Sequence, residues 1–488
     1  MKEESKYLKD NISDVKTSII NNTENRNGND KIRYIITILS FIQIFLSSGI
    51  ILGWPSLANM IKSEHIFKFP RENPTIPSLA EEVYLAELMN SSLSWQMFST
   101  IFLGFLIDYF GPKFICICQL ITTIGTTLIL IPERDGVIIN FSYIGIILQN
   151  LCGCIYIPTF IHMSNLFPSN KAMIISTLST LYGFSSCVFL IIQFLYDYFS
   201  IKFNYLIGTL ALLQGLFIVF SFMLPSETFE EGDDCGFSLS KGGFYKIKKN
   251  IIINNEINDS FISKLKLLII NTKILINHIF SRLFLFQFML GVFTLISVNF
   301  YLSTISLQIE ELSHLPEGEL RHNQGYFWST ILTFIAPFGS LIGVYQGYLI
   351  DKYGLTLSSF VPCILLISCS LFKLIPYVPI QILTFVTYTT SQEAIFGTIY
   401  SLIAFNIPSN IICRFSSINL LLQSYPAGYF PNLLISLFFE NKLTFFQINL
   451  LLVFPTFIIT TLFVIYLYYK EENKIIPNQI DEERVDLV

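Results

Sequence analysis

The chain alternates between long apolar runs and short polar breaks, and the runs share a common length. A helix that crosses a bilayer needs about 20 mostly apolar residues. Stretches of that kind lie near 34–60, 92–110, 114–132, 137–161, 172–195, 204–224, 283–307, 326–350, 356–376, 379–405, 415–437 and 445–469. Six come first, then a polar segment of nearly sixty residues, then six more. The pattern predicts an all-α polytopic membrane protein whose twelve transmembrane helices form two six-helix bundles. It divides the chain into a disordered tail (1–33), a first bundle (34–224), a central loop (225–282), a second bundle (283–469) and a closing tail (470–488).

Composition excludes a soluble chain. Hydrophobic residues make up 52% and charged ones 13%, with 47 Phe, more apolar surface than a water-soluble fold of this length can hide. Orientation follows from the basic residues. With the amino terminus inside, inner tails and loops hold 22 of the 30 Lys and Arg, many of them between Lys241 and Arg282. The positive-inside rule then puts both termini and the central loop in the cytoplasm, and the expected location is the plasma membrane. The net charge of −5 carries no comparable meaning, because the acids sit mostly in tails and loops.

The polar segments read as punctuation. Residues 1–30 are rich in Asn, Ser and Lys and show no apolar run of a cleaved signal. The stretch 261–280 reads either as an amphipathic helix on the inner leaflet or as loop. The first outer loop, about 61–90, is the longest outside segment, and its sequon at Asn90 lies against a helix end. None of the nine cysteines falls in an outer loop, so packing explains them better than bridges. The five His are scattered without ligand spacing, and no phosphate loop, nucleophile elbow or zinc signature occurs. An enzyme, a metal, a cofactor and a nucleic-acid partner are therefore not expected. The expected partners are the lipid bilayer and a small-molecule substrate, with the chain acting as a monomer.

One pattern occurs twice. Gly104-Phe105-Leu106-Ile107-Asp108-Tyr109-Phe110-Gly111-Pro112-Lys113 is echoed by Gly347-Tyr348-Leu349-Ile350-Asp351-Lys352-Tyr353-Gly354-Leu355-Thr356, 243 residues later. Both copies sit at a tight turn between two apolar runs. They resemble the G-x-L-x-D-x-x-G-x-K/R loop that follows the second and eighth helices of the major facilitator superfamily. The first copy matches all of those positions, and the second has Thr356 in place of the base. Gln149-Asn150 and Gln392-Glu393 are again 243 apart, and Pro168-Ser169-Asn170 matches Pro408-Ser409-Asn410. The resemblance implies two similar bundles with the substrate between them. It casts Gly104, Asp108, Gly111, Lys113, Gly347, Asp351 and Gly354 as a conformational latch, an Asp capping a neighbouring helix while glycines admit close approach. A plain tight turn is the alternative.

Glu393 is the sharpest single signal. It lies near the middle of the tenth run, and no Lys or Arg at comparable depth is expected to neutralise it. A carboxylate at the bilayer centre costs about 3 kcal/mol on insertion scales, so it faces a cavity or a partner. The missing positive charge is a proton, an inorganic cation or the substrate, unless the group is a protonated packing residue. Gln392, Gln149, Asn150, Ser47, Ser48, Tyr182, Ser185, Ser186 and Asn299 lie at similar depth and complete the candidate substrate-binding set. Helix breakers share that level: Gly49, Gly53 and Pro55, Gly183, and Pro426 and Gly428. Irregular backbone at depth is tolerated where it lines a cavity.

Two stretches narrow the resemblance. Gly53-Trp54-Pro55-Ser56-Leu57 resembles the G-W-x-S-L of system-L-like amino-acid facilitators, as do Asn165–Lys171 and Tyr182–Ser186. Within that group the chain is most similar to the apicomplexan amino-acid transporters. This implies amino-acid substrates, with Glu393 pointing to cationic ones (arginine or lysine) and facilitative uniport by alternating access. Neutral amino-acid or proton-coupled transport is the alternative, followed by a sugar or other small-solute porter. Sugar porters carry a P-E-S-P-R-like block after the sixth helix, where this chain reads Leu224-Pro225-Ser226-Glu227-Thr228-Phe229.

Overall fold

A computed structural model describes residues 31–69, 79–133, 140–247, 272–313, 319–409, 411–439 and 442–485. The first crossing is a bent pair, α1 (Lys31–Ser47) and α2 (Trp54–Ser63), inclined by 44° across the turn Ile50–Gly53. There follow α3 (Leu79–Phe110), α4 (Ile115–Leu128), α5 (Phe141–Leu151), α6 (Tyr156–Phe160), α7 (Lys171–Phe184), α8 (Cys187–Phe199) and α9 (Phe203–Phe222). Beyond the linker come α10 (272–279), α11 (Arg282–Leu312), α12 (Glu319–Ser340), α13 (Ile342–Ser358) and α14 (Phe360–Phe372). The chain ends in α15 (Gln381–Asn406), α16 (Ile412–Phe439) and α17 (Phe445–Val485).

Among the described residues, seven helical stretches are long and apolar enough to cross a membrane, or eight with the bent pair taken as one. Pro112–Leu128 and Phe360–Phe372 are apolar but shorter. The tenth and eleventh runs are long, but polar residues dilute them, among them Thr389 to Glu393 in α15 and Ser416, Ser417, Asn419 and Gln423 in α16. This order is compatible with twelve crossings in two bundles.

The breaks have identifiable causes. α1 ends at Ser47, ahead of Gly49, and the fifth crossing divides between α7 and α8 at Ser185 and Ser186. The two breaks pack on each other. A Cβ on Gly49 would overlap the Tyr182 carbonyl oxygen and lie 2.7 Å from Ser185 Oγ, so only glycine fits there. In α16 the ring of Pro431 removes the donor that the Ala427 carbonyl would otherwise use. Asn299 of α11 supplies it, with Nδ2 donating to Ala427 O at 3.1 Å.

Several edges differ from the sequence expectation. α3 begins at Leu79, so part of the expected outer loop 61–90 is helix and Asn90 lies inside it. α17 continues to Val485, beyond the expected boundary at 470. Of the expected amphipathic stretch 261–280, residues 272–279 are helical and 261–271 lie outside the described residues. The expected tail at 1–33 keeps only Lys31–Arg33 within them, and those residues begin α1.

The central segment is not all loop. β1 (Asp234–Ser238) and β2 (Gly243–Ile247) pair antiparallel, with Phe237 opposite Phe244. The turn Leu239–Gly242 joins them, and the positive φ of Gly242 (82°) and Gly243 (123°) leads the chain back into β2. The hairpin docks on the first bundle. Arg33 Nε meets Asp234 Oδ1 at 2.7 Å, Phe244 N donates to Met223 O at 2.9 Å, and Asn165 Nδ2 donates to Phe229 O at 2.7 Å. Burial pushes the Cys235 thiol up to about 12, with Asp234 adding to the rise and Arg33 opposing it. A thiol so disfavoured as thiolate is inert. All nine cysteines are free and eight are buried.

Candidate functional site

The two bundles meet along two seams, α3 against α16 and α7 against α13, with α12 and α15 also lying on α7. At the first seam, Asp108 accepts the backbone N–H groups of Cys413 (3.3 Å) and Arg414 (2.9 Å) and the Arg414 Nε–H (2.9 Å). Those residues open α16, where N–H groups have no acceptor in their own helix and the helix dipole favours an anion. The ion pair is enclosed, with the Arg414 and Asp108 side chains 4% and 2% exposed. At the second seam, Asp351 accepts the backbone N–H groups of Ala172 and Met173, both at 2.8 Å, at the start of α7. Ala172 and Met173 precede Cys413 and Arg414 by 241 residues each. The duplication in sequence is thus a reciprocal exchange in space, each bundle's Asp capping a helix of the other.

Glycines set how close the helices come. A Cβ on Gly104 would lie 2.9 Å from Cys413 O, and one on Gly347 would lie 2.6 Å from Met173 Cα and 2.7 Å from Ala172 O. Gly111 follows α3 at φ 84° and Gly354 kinks α13 at φ 81°, a conformation that turns the chain sharply and suits only glycine. Lys113 Nζ lies 4.2 Å over the Phe222 ring, while Thr356 is buried in its place in the second copy. Gly339, Gly343 and Gly347 recur every four residues in line with Asp351 as a glycine stripe on α12 and α13. Gly343 and Gly347 face Thr180 and Met173 of α7 across the second seam, while Gly339 faces Thr389 of α15 in its own bundle. The first seam has Gln96, Thr100 and Gly104 at the matching positions. The i, i+4 spacing of this stripe was readable in the sequence.

Glu393 sits in the middle of α15 and is 7% exposed. Its carboxylate reaches across the second seam onto the bare backbone of Gly183, in the last turn of α7, where any Cβ would overlap Oε1. Ser340 and Gly343 close the other side. Among the described residues, no hydrogen-bond donor or cation contacts the carboxylate.

The expectation that the spans hold no deep base needs correction, because Arg414 and Lys373 are both buried. Each is occupied elsewhere. Arg414 serves Asp108, and Lys373 Nζ donates to Ser297 O (3.2 Å) and Oγ (3.0 Å) with the Tyr301 ring centroid 4.6 Å away. Arg414 lies one residue ahead of the expected eleventh span and Lys373 near the end of the ninth, so hydropathy alone set them at the rim.

The remaining predicted residues divide by what they touch. Ser47 accepts from Gln119 Nε2 at 3.0 Å, inside a network that also holds Gln43, Tyr156 and Gln214. Ser48 donates to Gly153 O at 2.6 Å, and Asn299 serves Ala427 as described. Ser185 and Ser186 donate back to Tyr182 O and Gly183 O at the break in the fifth crossing. The Tyr182 hydroxyl is 3.5 Å from Cys154 Sγ. Gln392 is half-buried beside Glu393. Asn150 Nδ2 donates to Ile146 O, but its Oδ1 and both amide atoms of Gln149 and of Gln96 are buried without a partner among the described residues. Buried polar atoms are normally paired, so these amides stand out among the buried side chains. Sequence reasoning passed over Gln96 because it falls early in its span, away from the repeated motif.

A protein-family model, described as the Major Facilitator Superfamily, matches residues 36–431. No curated protein matches the chain significantly. Among solved structures, the proton:xylose symporter XylE bound to 6-bromo-6-deoxy-D-glucose is 14% identical, with a TM-score of 0.57 over 90% of this chain and 96% of that one. The E. coli fucose:proton symporter FucP is 12% identical, with a TM-score of 0.55 over 88% and 99%. The human organic anion transporter TETRAN is 12% identical, with a TM-score of 0.58 over 88% and 99%. Identities this low speak for the fold alone, and the family match over most of the chain carries the assignment. The chain belongs to the Major Facilitator Superfamily and is a multi-pass membrane transporter, not an enzyme.

Proposed function

We propose that the protein carries cationic amino acids, arginine or lysine, across the plasma membrane by facilitative uniport with alternating access, its termini and central segment in the cytoplasm. The observation that carries this reading is Glu393, buried at the seam between the bundles with no donor or cation on its carboxylate among the described residues. A carboxylate in that position has to be neutralised, and a substrate with a positive side chain supplies the charge. The Gly53–Leu57 and Tyr182–Ser186 stretches, with their resemblance to amino-acid facilitators, support the substrate class. The orphaned amides of Gln96, Gln149 and Asn150 suit the polar backbone end of an amino acid. A membrane potential of about 100 mV acts on one positive charge with about 2.3 kcal/mol, enough for roughly fifty-fold accumulation with no coupled ion.

A proton on Glu393 is the second reading, favoured by the same unpaired carboxylate and by the two proton symporters among the similar folds. Uptake of labelled arginine into cells expressing the chain, competed by lysine, leucine and glucose, tests both. Lysine should compete best, and uptake should follow the potential. Leucine or glucose competing best, or uptake that tracks only the proton gradient, would overturn the proposal.

A further inference from the structure

We infer that Gly183 is a positioning residue for Glu393: its bare backbone forms a berth in the first bundle that receives a carboxylate belonging to the second. This goes one step beyond the proposed substrate reading and rests on it only for the transport readout. Glu393 is more than nine-tenths buried and its Oε1 occupies the space a Cβ on residue 183 would take. Ser340 and Gly343 wall the berth from the second bundle, and the Gly343 position admits no side chain without displacing Thr180. Gly183 also lies beside the break at Ser185 and Ser186, where the fifth crossing meets Gly49 of the first. The charge of the site is therefore held by contact between the bundles. When the seam parts, the berth leaves with α7 and the carboxylate stays on α15. Affinity for a cation then depends on which way the transporter faces, which links occupancy to rocking.

The substitution Gly183→Ala fills the berth, and Glu393→Asp shortens the group that needs it. Alone, Gly183→Ala should raise the KM for arginine at least fivefold, and Glu393→Asp should raise it as well. Together they should give a lower KM than Gly183→Ala alone, because the shorter acid fits the filled berth. A glycine lost only from helix packing would lower the amount of protein at the surface and show no such rescue. A readout free of any substrate is the Tm of the full chain purified in detergent. Gly183→Ala should lower it, and Glu393→Ala should lower it less in the Gly183→Ala background than in the native one. Gly208→Ala, at a position with open space around it, serves as the control. Additive losses of Tm, or an unchanged KM for Gly183→Ala, would overturn the berth. Normal arginine uptake by Glu393→Gln would overturn the substrate reading, while the Tm coupling would still decide for or against the berth.

Discussion

The two seams are built from the same repeat and closed by different means. Asp108 is sealed with Arg414 in an ion pair that water barely reaches, whereas Asp351, among the described residues, holds only two backbone N–H groups and is partly exposed. The difference rests on one position, Arg414 in one copy and Met173 in the other. Helix packing differs in the opposite sense. The second seam has Gly343 and Gly347 where the first has Thr100 and Gly104. One seam is pinned by charge at its end, and the other is fitted closely along its length. The residue read as the substrate's counter-charge, Glu393, lies across the close-fitting one.

The largest effect should come from breaking the pin. Replacing Arg414 with Leu leaves Asp108 desolvated beside an apolar side chain, and orphaning one member of a buried pair costs about 3–5 kcal/mol. Since Asp108 regains water when the seam opens, the loss falls on the closed arrangement. Uptake per molecule at the surface should drop more than tenfold, and labelling of the buried Cys413 thiol should rise. Asp351→Asn keeps one acceptor oxygen and loses the charge and the second hydrogen bond, a change of about 1 kcal/mol that should cost several-fold at most. Equal defects in Asp108→Asn and Asp351→Asn would show that the ion pair does not distinguish the seams.

A smaller loss should follow from crowding the close-fitting seam. Gly347→Ala sets a methyl group against Met173 Cα and Ala172 O, backbone atoms that cannot rotate away. Overpacking of this kind costs about 1–3 kcal/mol. Gly343→Ala meets the Thr180 hydroxyl, which can turn aside, so its effect on Tm and uptake should be milder. The reverse order would mean that the stripe is spacing without contact.

Much of this architecture was readable in the sequence, and the unread part has a common cause. Apolar run length gave the order of the crossings, and the repeat of Gly104–Lys113 at Gly347–Thr356 gave the two-bundle plan. What each Asp touches was not readable, because its partners lie in the other bundle, with Arg414 306 residues from Asp108 and Met173 178 from Asp351. Hydropathy records whether a position suits lipid, not which helix it faces. Lys373 looked like a rim residue for that reason, although Ser297 and Tyr301 enclose it. The hairpin at 234–247 left a signal, Gly242-Gly243 between short runs holding Phe237 and Phe244, but polar flanks hid it. Asn299 looked like a ligand and serves the carbonyl that Pro431 leaves unpaired, a need that appears only once the two helices are side by side.

The comparison can also be tested by making the seams alike. Met173→Arg places a base at the start of α7 where Arg414 stands at the start of α16. Asp351 is within reach of that backbone position, since it already accepts the Met173 N–H at 2.8 Å. The new pair is only partly enclosed, so its gain is about 0–1 kcal/mol. It should hold the second seam closed longer and slow turnover up to about fivefold, with apparent affinity little changed. High salt should relieve the defect, because a partly exposed pair is screened. Faster turnover in Met173→Arg would show that the missing base is not what leaves this seam looser.

The smallest effect concerns the end of the motif. Lys113 lies over the Phe222 ring at 4.2 Å, a cation–π contact worth about 0.5–1 kcal/mol at such a site. The second copy does without a base there and still turns at Gly354 and caps α7. Lys113→Met keeps the length of the stem and removes the charge, so the turn at Gly111 and the Asp108 pair should persist. Uptake should fall less than about fivefold, well short of the loss in Arg414→Leu, and Tm should move by only a few degrees. A defect in Lys113→Met as deep as that in Arg414→Leu would mean that the base itself holds the first seam. The contrast between a charge-pinned and a glycine-fitted seam would then have to be drawn at Lys113 and Thr356 instead of at Arg414 and Met173.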